Sequence, residues 1–169
     1  VNFPIPNLSF MTDNAQADTE SLKRKILRLS AMVEENARRC VLSFRSRDRN
    51  AAKNVIDADH EIDALEISIE EDCIRLLESG ILTPADVRFV VGVVKINGDL
   101  ERIGDLAANI SQRVLSIGQH EHLILPNELM ELAEKTLAML TGCLDALVQR
   151  DTDIARRVCQ QDNEVDALN

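Results

Sequence analysis

Apolar residues recur every three or four positions along most of this chain, the spacing that places side chains on one face of an α-helix. The first such stretch contains Leu22, Ile26, Leu29, Val33, Ala37, Val41 and Phe44. The pattern predicts helices over 21–44, about 50–77, 84 to about 117 and 126 to about 149, and a fifth that begins at 151. The Gly and Pro clusters typical of β-rich chains are missing, so the predicted fold class is all-α.

Local signals mark where these helices begin and end. Thr83 is suited to cap the third helix, Pro84 to occupy its first turn, and Asp86 to face the positive end of its dipole. Gly80 and Gly118 follow the second and third helices, where a left-handed glycine commonly ends a helix. These signals predict the same boundaries as the apolar periodicity.

The chain carries an internal repeat. Residues 59–65 read DHEIDAL and residues 162–168 read DNEVDAL, and the match extends back through the preceding turn. Agreement in register over two helices and their turn indicates a duplicated unit. We therefore predict a first three-helix repeat over 19–118 and a partial second repeat over 119–169, which holds its first helix and the start of its second.

Both ends of the chain depart from this complete three-helix pattern. Residues 1–18 contain two prolines before Met11 and are predicted to be a linker or a disordered segment outside the fold. The unfinished second repeat would expose an apolar stripe that self-association would bury, which predicts a homo-oligomer. The stripe consists of Leu129, Leu132, Leu137, Leu140, Leu144 and Leu147.

Composition narrows the classes of partner. Hydrophobic residues make up 45% of the chain and aromatic residues 2%, which predicts an aliphatic core. A net charge of −10 disfavours nucleic acid and anionic membranes and favours cations or basic protein surfaces. No apolar run approaches membrane-spanning length, so no direct membrane insertion is expected.

The cysteines lack disulfide or zinc spacing and are predicted to be mostly buried, in a reducing compartment. They are Cys40, Cys73, Cys143 and Cys159.

Two pairs of acidic residues stand four positions apart and therefore one above the other on a helix. They are Asp59 with Asp63, and Glu101 with Asp105. Each like-charge pair destabilises an isolated helix by roughly 0.2–0.5 kcal/mol. A hard cation bound between the oxygen atoms would reverse that effect. The alternative interpretation is an ordinary solvated acidic face.

Two further observations favour a site. Asp162 and Asp166 repeat the first pair in the second unit. Gly104 lies inside the third predicted helix, where glycine is about 1 kcal/mol less favourable than alanine and usually marks close packing or a functional position.

Three segments resemble the PhoU family of phosphate-signalling proteins. They are DHEIDALE at 59–66, PADVR at 84–88 and KINGDLERIGDLAANI at 95–110, within a resemblance that runs from Ser21 to the C-terminus. The resemblance implies two spectrin-like up-down-up three-helix bundles, each with a Glu/Asp-x-x-x-Asp motif on two helices. The second repeat of this chain lacks the third helix and its motif.

The resemblance also implies where metal would bind. The first site would be lined by Asp59, Asp63, Glu101 and Asp105, and would hold iron, zinc or another divalent or multinuclear metal. Asp162 and Asp166 would form half of a second site.

The functional implication of the resemblance is regulation. The family restrains phosphate uptake and represses phosphate-starvation genes, as a cytoplasmic adaptor between the ATPase of a phosphate ABC transporter and a sensor histidine kinase. No enzymatic activity is expected, because neither a Gly-x-Ser-x-Gly motif nor a Cys/His signature is found in the sequence.

Two alternatives remain. The first is that the chain forms the cytosolic PhoU-like domain of a sodium–phosphate or other ion transporter. A ferritin-like carboxylate protein is disfavoured because such bundles use Glu-x-x-His, and no histidine here follows a glutamate by three positions. Those positions hold Asp57 before His60, Ile117 before His120 and Gln119 before His122.

Overall fold

The computed structural model describes residues 8–117, 126–149 and 151–166. These residues form five α-helices and no strand: α1 (Leu8–Ser46), α2 (Arg49–Glu78), α3 (Pro84–Ile117), α4 (Asn127–Gln149) and α5 (Thr152–Asp166). The all-α prediction is confirmed. Among the described residues, no helix is both long and apolar enough to cross a membrane.

Helices α1, α2 and α3 pack against one another as an up-down-up bundle, because short turns join them. Each helix contributes buried aliphatic side chains to one shared core, which includes Leu22, Leu29, Val33, Ile62, Ile69 and Val90. Full burial of such a side chain stabilises the fold by about 1.5–3 kcal/mol. The predicted aliphatic core is therefore what holds the first three helices together.

The start of α1 differs from the prediction. Residues 8–18, predicted to be a linker or disordered segment outside the fold, belong to α1. The reason is local: no glycine or proline interrupts the chain between Leu8 and Ser46, and Leu, Met, Ala and Gln are good helix formers. The expectation for residues 1–7 lies outside the described residues.

The helix ends of the first bundle follow the sequence signals. Gly80 has a φ of 67°, the left-handed geometry expected after α2. At the start of α3, the backbone N–H of Asp86 donates to Thr83 Oγ1 at 3.2 Å, and Asp86 Oδ2 accepts from the Thr83 N–H at 3.2 Å. This reciprocal capping box satisfies two backbone donors. The predicted stop at Gly118 lies outside the described residues.

The α1–α2 and α4–α5 turns share one geometry. Asp48 Oδ1 accepts from two backbone N–H groups at 2.8 and 3.1 Å, and Asp151 Oδ1 does so at the same two distances. The N–H of Asp48 donates to Ser43 O at 3.1 Å, and that of Asp151 donates to Ala146 O at 3.0 Å. The internal repeat read from the sequence therefore has a matching turn structure.

Helix α4 packs on both α1 and α5, whereas α5 packs on α4 alone among the described helices. Leu144 joins the core of the first bundle and Leu140 packs against it. Thr141 Oγ1 also donates to Glu34 Oε1 at 2.7 Å. The predicted apolar stripe is thus partly covered by α1, while Leu129 at its start is exposed. Homo-oligomer formation stays a prediction.

The cysteines divide into two classes. Cys40 and Cys73 are buried as predicted, but Cys143 and Cys159 are exposed. The difference follows from packing, because α4 and α5 have fewer helices around them than α1 and α2.

Candidate metal centre

Three aspartates meet where α2 and α3 pack together. Asp59 and Asp63 project from one face of α2, and Asp105 projects from α3. One carboxylate oxygen from each residue lies within 4.8 Å of the others. We call these three residues the aspartate cluster. The structure therefore brings together three of the four side chains predicted for the first site.

Gly104 allows this close approach of the two helices. A Cβ atom at position 104 would lie 3.1 Å from Asp59 Oδ1 and 3.2 Å from Ile62 Cγ2. Any larger side chain at this position would push against both the cluster and the core beneath it. The prediction that Gly104 marks close packing is confirmed.

Asp59 is the most constrained member of the aspartate cluster. Its Oδ1 atom is buried and has no hydrogen-bond partner within the described part of the chain. Burial, followed by repulsion from Asp63 and Asp105, raises the pKa of Asp59 from 3.8 to about 6. His60 opposes this shift, because its positive form attracts the carboxylate. A cation at the cluster would supply the missing partner and favour the ionised carboxylates.

Glu101 lies at the edge of the aspartate cluster. Its carboxylate does not belong to the group of oxygens that lie within 4.8 Å of one another. It nevertheless interacts with the cluster electrostatically. Burial raises the pKa of Glu101, and repulsion from Asp105 and Asp63 raises it further. Glu101 is therefore placed to add charge to the site rather than to form its centre.

Asn97 is a polar residue of this region that the sequence analysis did not single out. It is only 1% exposed, and its Nδ2 donates to Glu66 Oε1 at 2.8 Å and to Glu66 O at 3.0 Å. These bonds tie α3 to α2 beside the acidic residues. The available signal was a polar side chain at a position that the helical period of α3 assigns to the core.

The predicted second half-site has no comparable surroundings. Asp162 and Asp166 are exposed on α5, which contacts only α4 among the described helices. Within the described residues, no carboxylate from another helix joins them. His120 and His122 lie outside the described residues.

The sequence model of the PhoU domain matches residues 26–114 and 129–169. These two segments include the aspartate cluster and most of both repeats. The phosphate-specific transport system accessory protein PhoU of Escherichia coli K12 is 32% identical over 150 residues, which cover 89% of this chain. The chain spans 62% of the length of that relative.

Two solved structures share the fold. The phosphate transport system regulatory protein PhoU from Streptococcus pneumoniae aligns with a TM-score of 0.82 and 29% identity, over 91% of this chain and 72% of that one. PhoU from Pseudomonas aeruginosa aligns with a TM-score of 0.87 and 27% identity, over 90% of this chain and 74% of that one. With a family match over both repeats and the same helical arrangement, this chain belongs to the PhoU family.

Proposed function

We propose that this protein is a cytoplasmic regulator that restrains phosphate uptake and represses phosphate-starvation genes. The family match over both repeats carries this proposal, since curated relatives are named as accessory proteins of the phosphate-specific transport system. Cells of the source organism that lack the protein should express a phosphate-starvation reporter at high phosphate. Restored repression on re-expression of the chain supports the role, and unchanged reporter activity in the deletion contradicts it.

In this role the protein acts as an adaptor and not as an enzyme. It binds the ATPase of a phosphate ABC transporter and a sensor histidine kinase, and so couples transport to gene expression. A helical scaffold with exposed apolar and acidic faces suits protein contact. Affinity capture of the tagged chain at high phosphate should recover both partners, whereas recovery of neither contradicts the adaptor role.

The aspartate cluster holds a divalent or multinuclear metal in this proposal. Asp59, Asp63 and Asp105 supply only oxygen ligands, the donors that hard cations prefer. The buried Asp59 Oδ1, which no described residue hydrogen-bonds, fits such a role. Glu101 adds charge at the edge, and the bound ion, iron or zinc by family resemblance, would link α2 to α3.

A second half-site on α5 belongs to the same proposal. Asp162 and Asp166 repeat the spacing of the α2 pair and would complete a site with carboxylates from a further helix.

Metal analysis of the purified chain tests this site. Wild type should retain metal, and the Asp63→Ala/Asp105→Ala variant should lose most of it because two of three clustered carboxylates are gone. Glu71→Ala, an exposed acidic residue on the same helix, is the matched control and should retain the wild-type amount. Equal metal content in the double variant and in wild type would exclude this cluster as the ligand set.

A further inference from the structure

An exposed apolar surface runs along the outer side of the α2–α3 pair. Its α2 members are Ile67, Ile74 and Leu77, exposed by 54%, 50% and 41%. Its α3 members are Val87, Val91 and Val94, exposed by 38%, 44% and 40%. Together with the acidic residues Glu66, Glu70 and Glu101, these six side chains define what we call the α2–α3 groove.

Helical spacing places the two apolar rows on facing flanks. On α2, Ile67 lies one turn beyond Asp63, which reaches α3 through the aspartate cluster. On α3, Val94 lies two turns before Glu101, whose charge interacts with Asp63. Both rows therefore border the line along which the two helices meet.

Hydrogen bonding fixes the register between the rows. Asn97 of α3 bonds to Glu66 of α2, so the two helices are level at these residues, with Ile67 on one side of the groove and Gly98 on the other. Because the helices run antiparallel, Leu77 lies near Val87 close to the connecting turn. The apolar rows thus run along the groove from its turn end, and Glu66 and Glu70 alternate with the apolar residues of α2 on the way to the aspartate cluster.

Gly98 opens the middle of the groove. A Cβ atom at this position would have no heavy atom of the described residues within 4 Å, unlike one at Gly104. Glycine in a helix interior lowers stability, and nothing in this fold requires its small size at position 98. An absent side chain on an exposed apolar face lets the backbone of another helix approach closely.

The carboxylates of the groove carry uncompensated charge. Among the described residues, no lysine or arginine forms an ion pair with Glu66, Glu70 or Glu101. The nearby basic residues, Lys95 and Arg102, lie one turn beyond Val91 and Gly98 and are exposed along the α3 edge of the groove. The side of the groove formed by α2 is therefore the more acidic one.

We propose that the α2–α3 groove docks a basic amphipathic helix of a partner protein. Apolar side chains of that helix pack on the two apolar rows, its Lys or Arg side chains face the groove carboxylates, and its backbone comes closest over Gly98. A second copy of this chain is disfavoured as occupant, because the chain carries a net charge of −10 and would place acid against acid. The proposal names a surface for the adaptor role and rests on that role.

A synthetic amphipathic helix of leucine and lysine serves as the probe. Its fluorescence anisotropy is followed with the full chain in EDTA, so that no metal occupies the carboxylates. Wild type should bind it, and raising NaCl to 0.5 M should weaken binding at least tenfold because the attraction is electrostatic. A leucine–glutamate helix of the same pattern should not bind, and equal binding of both helices would overturn the proposal.

Matched variants locate the binding surface. Ile74→Ser/Val91→Ser should weaken binding of the leucine–lysine helix at least tenfold by removing apolar contact. Leu42→Ser, 49% exposed on α1, should leave affinity unchanged. If the groove variant binds like wild type, the groove is not the docking surface.

A pair of glycine variants separates docking from folding. Gly92 and Gly98 both lie in α3 with open space around them, so alanine at either should raise the melting temperature. Only Gly98→Ala should weaken helix binding, by about threefold or more. Equal affinity of the two alanine variants would overturn close approach at Gly98.

Two outcomes separate this proposal from the adaptor role itself. Capture of transporter ATPase and kinase by the Ile74→Ser/Val91→Ser variant at wild-type levels would overturn the groove and leave the adaptor role intact. Capture of neither partner by wild type, with helix binding intact, would overturn the adaptor role and support the groove. A dimer in light scattering that this variant abolishes would assign the groove to a second copy and overturn the proposal.

Discussion

The α1–α2 and α4–α5 hairpins share a turn and an acidic motif, yet among the described residues only the motif of the first is joined by a carboxylate from another helix. Helix α2 buries six residues in the first bundle, whereas Val158 is the buried residue described on α5. The difference lies in α3, which covers α2 and brings Asp105 to Asp59 and Asp63. A motif can therefore form from local sequence, but its carboxylates gain a further ligand only where another helix packs against them.

Core truncation should reveal this difference most strongly. Ile69 is fully buried, so Ile69→Ala should lower the free energy of unfolding by about 2–5 kcal/mol. Ile154 is partly exposed on α5, so Ile154→Ala should lower the free energy of unfolding by less than about 1 kcal/mol. Urea denaturation followed by circular dichroism measures both, and similar losses would show that the two hairpins are equally packed.

Overpacking at the helix crossing should produce the next largest effect. Gly104→Val places new atoms against Asp59 and Ile62, and should destabilise the fold by about 1–3 kcal/mol. Gly92→Val, with open space around the new side chain, is the matched control for the loss of glycine. Thermal unfolding of the two variants separates steric strain from helix propensity, and equal melting temperatures would contradict the close approach at Gly104.

Variants of the N-cap residues Asp48 and Asp151 test whether the same turn structure contributes equally to the stability of the two hairpins. Asp48→Ala and Asp151→Ala each remove a carboxylate that accepts from two backbone N–H groups, with an expected cost of about 0.5–2 kcal/mol. We expect Asp48→Ala to lower global stability, and Asp151→Ala to speed amide hydrogen exchange mainly in α5. Exchange that rises throughout the protein in the Asp151 variant would show that the hairpins unfold together.

A pH effect confined to the aspartate cluster should be the smallest. In metal-free protein the pKa of Asp59 is raised from 3.8 to about 6, so the folded state binds more protons than the unfolded state between these pH values. Its contribution is present below about pH 4 and is lost as pH rises through 6. Asp59→Asn should therefore raise the melting temperature at pH 7.5 and change it little at pH 4.

The control for this pH effect is Asp162→Asn, since Asp162 is exposed and no described helix covers it. Its melting temperature should differ from wild type by the same small amount at both pH values. An Asp59 variant with no greater effect at pH 7.5 than at pH 4 would contradict repulsion within the cluster.

Features set by neighbouring residues in the chain could be predicted from the sequence. The apolar period gave the five helices, and Gly80 and the Thr83–Asp86 box marked their ends. The start of α1 was missed because the prolines before Met11 suggested a linker, although none lies within the helix itself. Uninterrupted helix propensity decided that boundary.

Features set by contacts across helices were predicted less fully. Spacing identified both acidic pairs, but it gave Glu101 and Asp105 equal rank. The structure distinguishes them, because Asp105 and not Glu101 joins the carboxylates of α2. The Asn97–Glu66 bond has no local pattern, since it depends on the register between α2 and α3.

The crossing of α4 and α5 constrains how this family member can evolve. A Cβ atom at Gly142 would lie 2.8 Å from Val158 Cγ2, closer than real Cβ contacts allow. Substitutions at the two positions are therefore coupled. A larger residue can replace Gly142 only if position 158 holds a smaller residue than valine or its side chain moves. Homologous sequences should preserve this size compensation as paired substitutions.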